Sequence, residues 1–442
     1  MSPQGPHLSR SALHSESPRS PDSIEARGQA TPLSPPPPQD PNLPGEPAGS
    51  RWREQLRTSL AALPPERLRQ LRAYASPTAA ASLQPQPADA APVAPLLDLA
   101  SNDYLGLSRH PAVLAAAAAE LAASGLGAGA SRLVTGTRPI HSQLERELAA
   151  WLGRERVLLF PSGFQANIAA VGALADRHSL VLADRLIHHS LLVGVRASGA
   201  QLQRFAHNHL ADLEQRLASI RQTTPTRRVV VLCESLYSME GTSPALAGVA
   251  ALCASHNAPL VVDEAHALGV LGPGGRGLAH GLADVALISG TFGKAFGSGG
   301  AFLAADEPLG EWLLQSSGAF RYSTALAPSL ASGARAALAH LGSSPADQAR
   351  GALLARADRW RDALAAAGWP RPPGEGPILP LLVGDNQRAL ALQTRLEKAG
   401  LLTVAIRPPT VPPGTARLRL VLRQDLPGST LPRLLDALGP CP

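Results

Sequence analysis

Lysine is nearly missing from this chain. Two of its 442 residues are lysine, and the rest of its 40 basic residues are arginine. Cysteine is almost as scarce. Cys233, Cys253 and Cys441 form no CxxC pair, which excludes a disulfide framework and fits the reducing cytoplasm. No apolar run approaches the roughly 20 residues of a membrane-spanning helix. The first residues lack the apolar stretch of a secretory signal. No block of five basic residues occurs, so the net charge of +6 does not point first to nucleic acid. A modest positive field suits an anionic substrate or an acidic carrier instead.

Where arginine supplies plain positive charge, a surviving lysine is a candidate for work that a guanidinium cannot do. An amine can lose its proton and attack a carbonyl to form a Schiff base; arginine stays charged. Lys294 sits in Ser289-Gly-Thr-Phe-Gly-Lys-Ala-Phe-Gly297, just after the apolar run 285–288. That is the setting of a loop at the end of a buried strand. Lys398 follows Thr394-Arg-Leu-Glu397 and reads as a surface charge near a helix end. Position alone leaves open that Lys294 is a chance survivor in an ordinary loop.

The length allows two or three domains. Residues 1–50 contain twelve prolines and nine serines but no Phe, Trp or Tyr, the composition of a disordered tail. Residues 51–100 are expected to be an N-terminal helical segment, with an amphipathic pattern over 51–71. Residues 101–335 form the expected large domain. Leucines at 144, 148 and 152 predict a helix over 141–151. Short apolar runs follow at 157–160, 180–183, 229–233, 260–262 and 285–288, separated by helical stretches. This alternation predicts an α/β fold: a mostly parallel sheet flanked by helices. Residues 336–442 read as a smaller α+β C-terminal domain. In parallel sheets of this kind ligands gather at the carboxyl ends of the strands, so the polar residues that end the runs draw attention.

Two such ends stand out. Pro161-Ser-Gly-Phe-Gln-Ala-Asn167 passes from a strand into a helix whose first N–H groups could hold a phosphate. Val261-Val-Asp-Glu-Ala-His266 delivers Asp263 at the end of an apolar run, with His266 three residues on. A carboxylate there could bind a protonated ring nitrogen, and the histidine a ring oxygen. A metal site at Asp263, Glu264 and His266 has no supporting ligand spacing elsewhere. Phosphate cradle, carboxylate and lysine together describe a site for pyridoxal 5′-phosphate.

The order and local sequence of these parts resemble the fold-type-I pyridoxal-phosphate enzymes, and within them the α-oxoamine synthases. The motifs that carry the resemblance are Ser101-Asn-Asp-Tyr-Leu-Gly106, Ser131-Arg-Leu-Val-Thr-Gly136, Val262-Asp-Glu-Ala-His266 and Thr291-Phe-Gly-Lys294. Phe205-Ala-His-Asn208 and the stretch from Ala405 through Arg407 and Thr410 to Leu420 bring it closest to the branch that serves biotin biosynthesis. The resemblance covers residues 51–440 and implies a homodimer. It implies an acyltransferase that joins L-alanine to a pimeloyl thioester, on acyl carrier protein or coenzyme A, with loss of carbon dioxide.

Carried over residue by residue, it makes Lys294 the Schiff-base lysine and the base for the Cα proton. Asp263 then pairs with the ring nitrogen and His266 with the ring oxygen. His141 stacks on the ring and also meets substrate. Gly163, Phe164, Ser238 and Thr291 complete the cofactor site. Arg407 and Thr410 face the substrate. Arg69 matches an N-terminal substrate arginine, with Arg72 as its competitor. The rivals are synthases using glycine or serine with other acyl thioesters, and a cofactor-free subunit that only stabilises a partner.

Overall fold

A computed structural model describes residues 50–76, 81–86 and 94–441 of the chain. The tail expected at 1–50 thus lies, Ser50 apart, outside the described residues. Ser50–Ala61 is a helix (α1) none of whose side chains is buried. Its Trp52, Leu56 and Leu60, four residues apart, are exposed.

The expected continuation of this helix to residue 71 is not found. Pro64 and Pro65 lack the N–H groups that further turns would need, and only a short 3₁₀ turn, Pro65–Arg67, follows. The segment 51–100, expected to be helical, goes on to three short strands: β1 (Tyr74–Ala75), β2 (Ser82–Pro85) and β3 (Leu96–Asp98).

The body of the chain is a seven-stranded sheet. Its strands are β4 (Arg156–Phe160), β5 (Leu180–Asp184), β6 (Gln201–Phe205), β7 (Val229–Glu234), β8 (Leu260–Asp263), β9 (Val285–Thr291) and β10 (Ala301–Ala305). The spatial order is β4-β10-β9-β8-β7-β5-β6. All neighbouring pairs are parallel except the two that β10 makes with β4 and β9. Every residue of β5, β7 and β8 is buried, as expected of strands covered on both faces. Side chains alternate between two cores. Val229, Val231, Leu260 and Val262 face one; Val230, Leu232, Val261 and Leu287 face the other. The helices α2 (Pro111–Ser124), α3 (Pro139–Leu152), α4 (Gly163–Leu174) and α5 (His189–Ser198) belong to the same body.

In α3, Pro139 presets the first turn. Leu144, Leu148 and Leu152 bury one stripe, each worth about 1.5–3 kcal/mol of transfer free energy. Gly153, at φ +67°, ends the helix. Two strands escape the sequence pattern. β6 is an edge strand with polar side chains, and β10 is rich in alanine, a poor strand former.

The C-terminal part contains the long helix Ser344–Ala366, then β11 (Ile378–Gly384), the helix Asn386–Lys398, β12 (Leu401–Leu402), β13 (Val404–Ile406), β14 (Ala416–Val421) and a last helix, Thr430–Leu438. β11, β14 and β13 form an antiparallel sheet. β12 joins β1, β2 and β3 in a second sheet, pairing with β3 in parallel. Residues ahead of 100 therefore share a sheet with residues past 400. The helix Pro328–Leu341 runs through the boundary expected at 335.

The loop bearing Lys294 is pinned at both ends. Gly297 N–H donates to the Lys294 carbonyl at 2.9 Å, and Ser298 N–H to the Phe292 carbonyl at 2.9 Å. Gly297 has φ +63°, and a Cβ there would lie 2.1 Å from the Ser108 nitrogen. Gly297→Ala is therefore expected to cost on the order of 2–4 kcal/mol. Urea unfolding of the variant checks this, and a loss below about 0.5 kcal/mol would show that the contact yields.

Candidate active site

The carboxyl ends of β7, β8 and β9 stand side by side. Glu234 is the register partner of Asp263, and Asp263 of Ser289. Glu234 and Asp263 point to the face that α4 and α5 cover. A cavity of about 190 Å³ opens there. It is lined by Gly163 and Phe164 at the start of α4, by His188, Glu234, Asp263 and His266, and by Thr291 and Lys294. The structure thus gathers Gly163, Phe164, Asp263, His266, Thr291 and Lys294 around one cavity.

Each side chain is held from behind. Asp263 Oδ2 accepts from Asn167 Nδ2 at 2.7 Å, and Oδ1 from the Ala265 N–H at 2.9 Å. Asn167 also donates to Ser190 Oγ at 2.8 Å, which lies 2.7 Å from His188 Nδ1. Asn167 Oδ1 is buried and without a partner. His266 Nδ1 lies 2.6 Å from Tyr104 Oη. Burial holds the Tyr104 phenol far above its usual range, so the hydroxyl keeps its proton. The same hydroxyl lies 3.3 Å from Asn102 Oδ1. Arg419, itself buried, bonds Tyr104 and donates to Asn102 Oδ1 at 2.9 Å. Thr291 Oγ1 donates to the Gly300 carbonyl at 3.0 Å and accepts the Gly293 N–H.

The walls of the cavity disfavour charge. Burial pushes the Lys294 amine down to about 8, against the pull of Asp263 and Glu234. Burial, helped by the charge of Lys294, holds His266 well below its usual value, so the ring is neutral. Burial also lowers His188 and pushes Glu234 well above the carboxylate range.

Arg407, Arg69 and Thr410 form a second locus. Arg69 donates to the Pro408 carbonyl at 3.3 Å and Arg407 to the Glu66 carbonyl. The Arg407 guanidinium is lowered by burial and then by the like charge of Arg69, and its Nε is buried without a partner. Thr410 is exposed, its N–H on the Arg407 carbonyl at 3.1 Å. Arg72 is instead engaged with Glu397, which separates the two N-terminal candidates. None of these residues lines the Lys294 cavity.

Two expected residues lie outside this lining. His141 is fully buried, its Nε2 2.8 Å from the Leu326 carbonyl and its Nδ1 accepting the Arg138 N–H at 3.0 Å. Both nitrogens are engaged at the start of α3, and the residue is not among those that line the cavity. Ser238 also lies outside the lining; its carbonyl accepts from Arg419 Nε at 2.6 Å. Sequence reasoning missed Asn167, His188, Glu234, Tyr104 and Arg419. Glu234 ends an apolar run, the very signal that drew attention to Asp263.

Residues 94–438 match the model of the class I and II aminotransferases. The chain is 42% identical over 352 residues to the 8-amino-7-oxononanoate synthase of Chromohalobacter salexigens, covering 79% of this chain and 90% of that one. Among solved structures it is similar to serine palmitoyltransferase from S. paucimobilis, which carries bound pyridoxal phosphate, with a TM-score of 0.78 at 25% identity, covering 88% of this chain and 96% of that one. It is also similar to 8-amino-7-oxononanoate synthase from Francisella tularensis, with a TM-score of 0.66 at 26% identity, covering 78% and 96%.

Tyr104→Phe removes the hydroxyl partner of His266 Nδ1 and leaves that buried nitrogen unpaired. The expected loss is about 1–3 kcal/mol in urea unfolding, with the fold kept. Unchanged stability would show that another group holds the imidazole.

Proposed function

The chain belongs to the class I and II aminotransferase family and, within it, to the 8-amino-7-oxononanoate synthases, and on that premise we propose that it joins L-alanine to a pimeloyl thioester. The products are 8-amino-7-oxononanoate, carbon dioxide and the free thiol carrier, in biotin biosynthesis. The carrier is an acyl carrier protein or coenzyme A. The observation that carries this reading is the Lys294 amine, poised near pH 8 in a cavity it shares with Asp263 and His266.

The residues present fit pyridoxal 5′-phosphate. The cavity offers an amine for the aldehyde, a carboxylate for the ring nitrogen and an imidazole for the ring oxygen. The N–H groups of Gly163 and Phe164 open α4 ahead of any acceptor in their own helix, a setting for phosphate. Asn167 Oδ1 is an orphaned buried acceptor in the same wall. When bound, the cofactor supplies an electron sink for the pair left behind as a proton departs from the amino-acid Cα.

The protein's own residues do the rest. The Lys294 amine, neutral above about pH 8, is the group that would hold the cofactor at its aldehyde, and its Nζ is also the base that would take the Cα proton and return one. Asn167 and Ala265 aim the Asp263 carboxylate, and Tyr104 holds the His266 ring through Nδ1. Thr291 adds a hydroxyl oxygen to the wall. Arg407 and Arg69 set like charges side by side, an arrangement that an anionic substrate relieves, so they and Thr410 are proposed to bind substrate carboxylates. His141 and Ser238 are left without a role in this scheme.

The reading includes a homodimer. Leu133, Val134 and Tyr322 are exposed apolar side chains on adjoining segments, since Ser131 bridges Thr324 and Ala325 N–H bonds the Ala130 carbonyl. Gln165, beside the cavity residue Phe164, bonds Ser323 at 2.9 Å. A second copy seated there would reach the mouth of the cavity. Among the described residues no helix is long and apolar enough to cross a membrane. A cytoplasmic location belongs to the same proposal, supported by three free cysteines.

Two experiments test the reading. Borohydride reduction of the cofactor-loaded protein, followed by peptide mapping, is expected to place the pyridoxyl mass on Lys294; finding it on Lys398 would refute the assignment. Among pimeloyl, succinyl and acetyl thioesters, each offered with alanine or glycine, alanine with pimeloyl is expected to give the highest kcat/KM. A single methyl is worth about 1–3 kcal/mol, so alanine should lead glycine by roughly 10- to 200-fold. A preference for glycine with a short thioester would overturn the substrate assignment and leave the cofactor site standing.

A further inference from the structure

The loop from Ser101 to Ser108 carries two groups of the site, and one arginine closes on it. Asn102 lines the cavity, and Tyr104 Oη meets His266 Nδ1 at 2.6 Å. The far end of the loop abuts the turn after Lys294, where the Ser108 nitrogen packs against Gly297. Arg423 stands just past the end of β14 at Val421. Its guanidinium grips both oxygens of Asp425 at 2.9 Å. Its remaining nitrogen faces Asp98 Oδ2 at 3.3 Å, Ser101 Oγ at 3.2 Å and Asp103 Oδ2 at 3.4 Å. The side chain of Arg423 is 10% exposed and that of Asp98 1%, so little water screens these contacts. Three carboxylates thus surround one cation, and backbone donors offset the surplus charge. Asp98 Oδ1 accepts the N–H groups of Ala100 and Ser101, Asp103 Oδ1 that of Ser108, and Asp425 Oδ2 that of Ala81. Beside the arginine, the Gln424 N–H donates to the Tyr104 carbonyl at 2.7 Å.

From this arrangement we infer that Arg423 is a positioning residue for the site: it sets where Asn102 and Tyr104 stand and, through Tyr104, where the His266 imidazole stands. The task needs a fork as well as a charge. Nε and one terminal nitrogen of Arg423 hold Asp425, while the other terminal nitrogen reaches the loop. An ammonium is a compact point charge and cannot span both sides with that geometry. Tyr104, Leu105 and Leu107 are buried, but apolar contact is non-directional. It holds the loop down without fixing the turn of its polar groups. Arg423 and Asp98 supply the direction at the Ser101 end. Without the fork, the loop has more freedom to shift, and the buried His266 ring loses a fixed partner.

The inference rests on the reading of His266 as a cofactor contact, yet its test uses the apo protein. Exchange of the imidazole C2 hydrogen for deuterium, followed by peptide mass spectrometry, reads each histidine by itself. His266 is buried, so its exchange reports openings that admit water to that ring. His141, fully buried at the start of α3, reports openings of the fold as a whole. In Arg423→Lys the His266 rate is expected to rise about threefold or more over wild type, the scale of one net hydrogen bond, while the His141 rate holds. Ser101→Ala removes a hydroxyl shared by Arg423 and Asp98 and should raise the His266 rate by a smaller step, about twofold. An unchanged His266 rate in folded Arg423→Lys, or a rise that His141 matches, overturns the inference, because a merely structural role moves both rings together. Should Arg423→Lys fail to fold, Ser101→Ala decides by the same criterion. Failure of borohydride mapping at Lys294, by contrast, would strike the cofactor reading and leave this exchange result intact.

Discussion

The parallel register of β7, β8 and β9 is the constraint on which this site depends. It sets Glu234, Asp263 and Ser289 at one level, and the pleat turns the two carboxyls to one face. A shift of one residue in either pairing would send a carboxyl into the opposite core. That register is fixed by apolar side chains, not by the site itself. Val261 and Val262 belong to different cores, so a one-residue slip would send each to the other's core and turn Asp263 into the apolar one. Buried hydrophobic alternation thus performs the first act of positioning, and hydrogen bonds refine it.

The refinement comes from outside the sheet. α4 supplies Asn167 to Asp263, and the loop opened by Ser101 supplies Tyr104 to His266. β14, in the C-terminal part, supplies Arg419 to Tyr104 and to the carbonyl of Ser238. Three separated stretches of chain therefore converge behind a small cavity. Arg419 is costly to bury without partners, and its bonds to Ser238, Asn102 and Tyr104 offset that cost. Its charge also reaches Lys294 and His266, lowering both. The C-terminal part accordingly tunes the cavity it does not line.

What the sequence disclosed follows the physics of burial. β5, β7 and β8 are buried throughout, so their continuous apolar runs stood out; Asp263 and Lys294 were found because they follow such runs. β6 and β10 left no comparable trace, one being an edge strand and the other largely alanine. The helix expected beyond Ala61 stopped because prolines at 64 and 65 outweigh an amphipathic pattern. Of the site, the groups aimed at the cavity were readable from motif and residue type. The groups behind them were not, because Asn167, Tyr104 and Arg419 act through contacts between residues far apart in sequence. His141 shows the opposite case. A motif match pointed to the ring, and the contacts it makes are with the start of α3 and the Leu326 carbonyl.

Asp263 and Glu264 show how far neighbouring carboxyls can differ. The pleat sends Asp263 toward the cavity and Glu264 to the other side of the sheet. There Glu264 accepts from Ser235 Oγ at 2.7 Å and from the N–H groups of Ala279 and Leu278. Gly277 makes room for it, since a Cβ at that position would lie 2.6 Å from Glu264 Oε2. Burial raises this acid to about 7 even with those donors. Its work is to tie the loop at 277–279 beneath the strand ends, where it braces the level at which Glu234 and Asp263 meet. A residue pair that reads as two equivalent charges in sequence thus divides by face: one carboxyl is offered to chemistry, and the other is spent on holding the first in place.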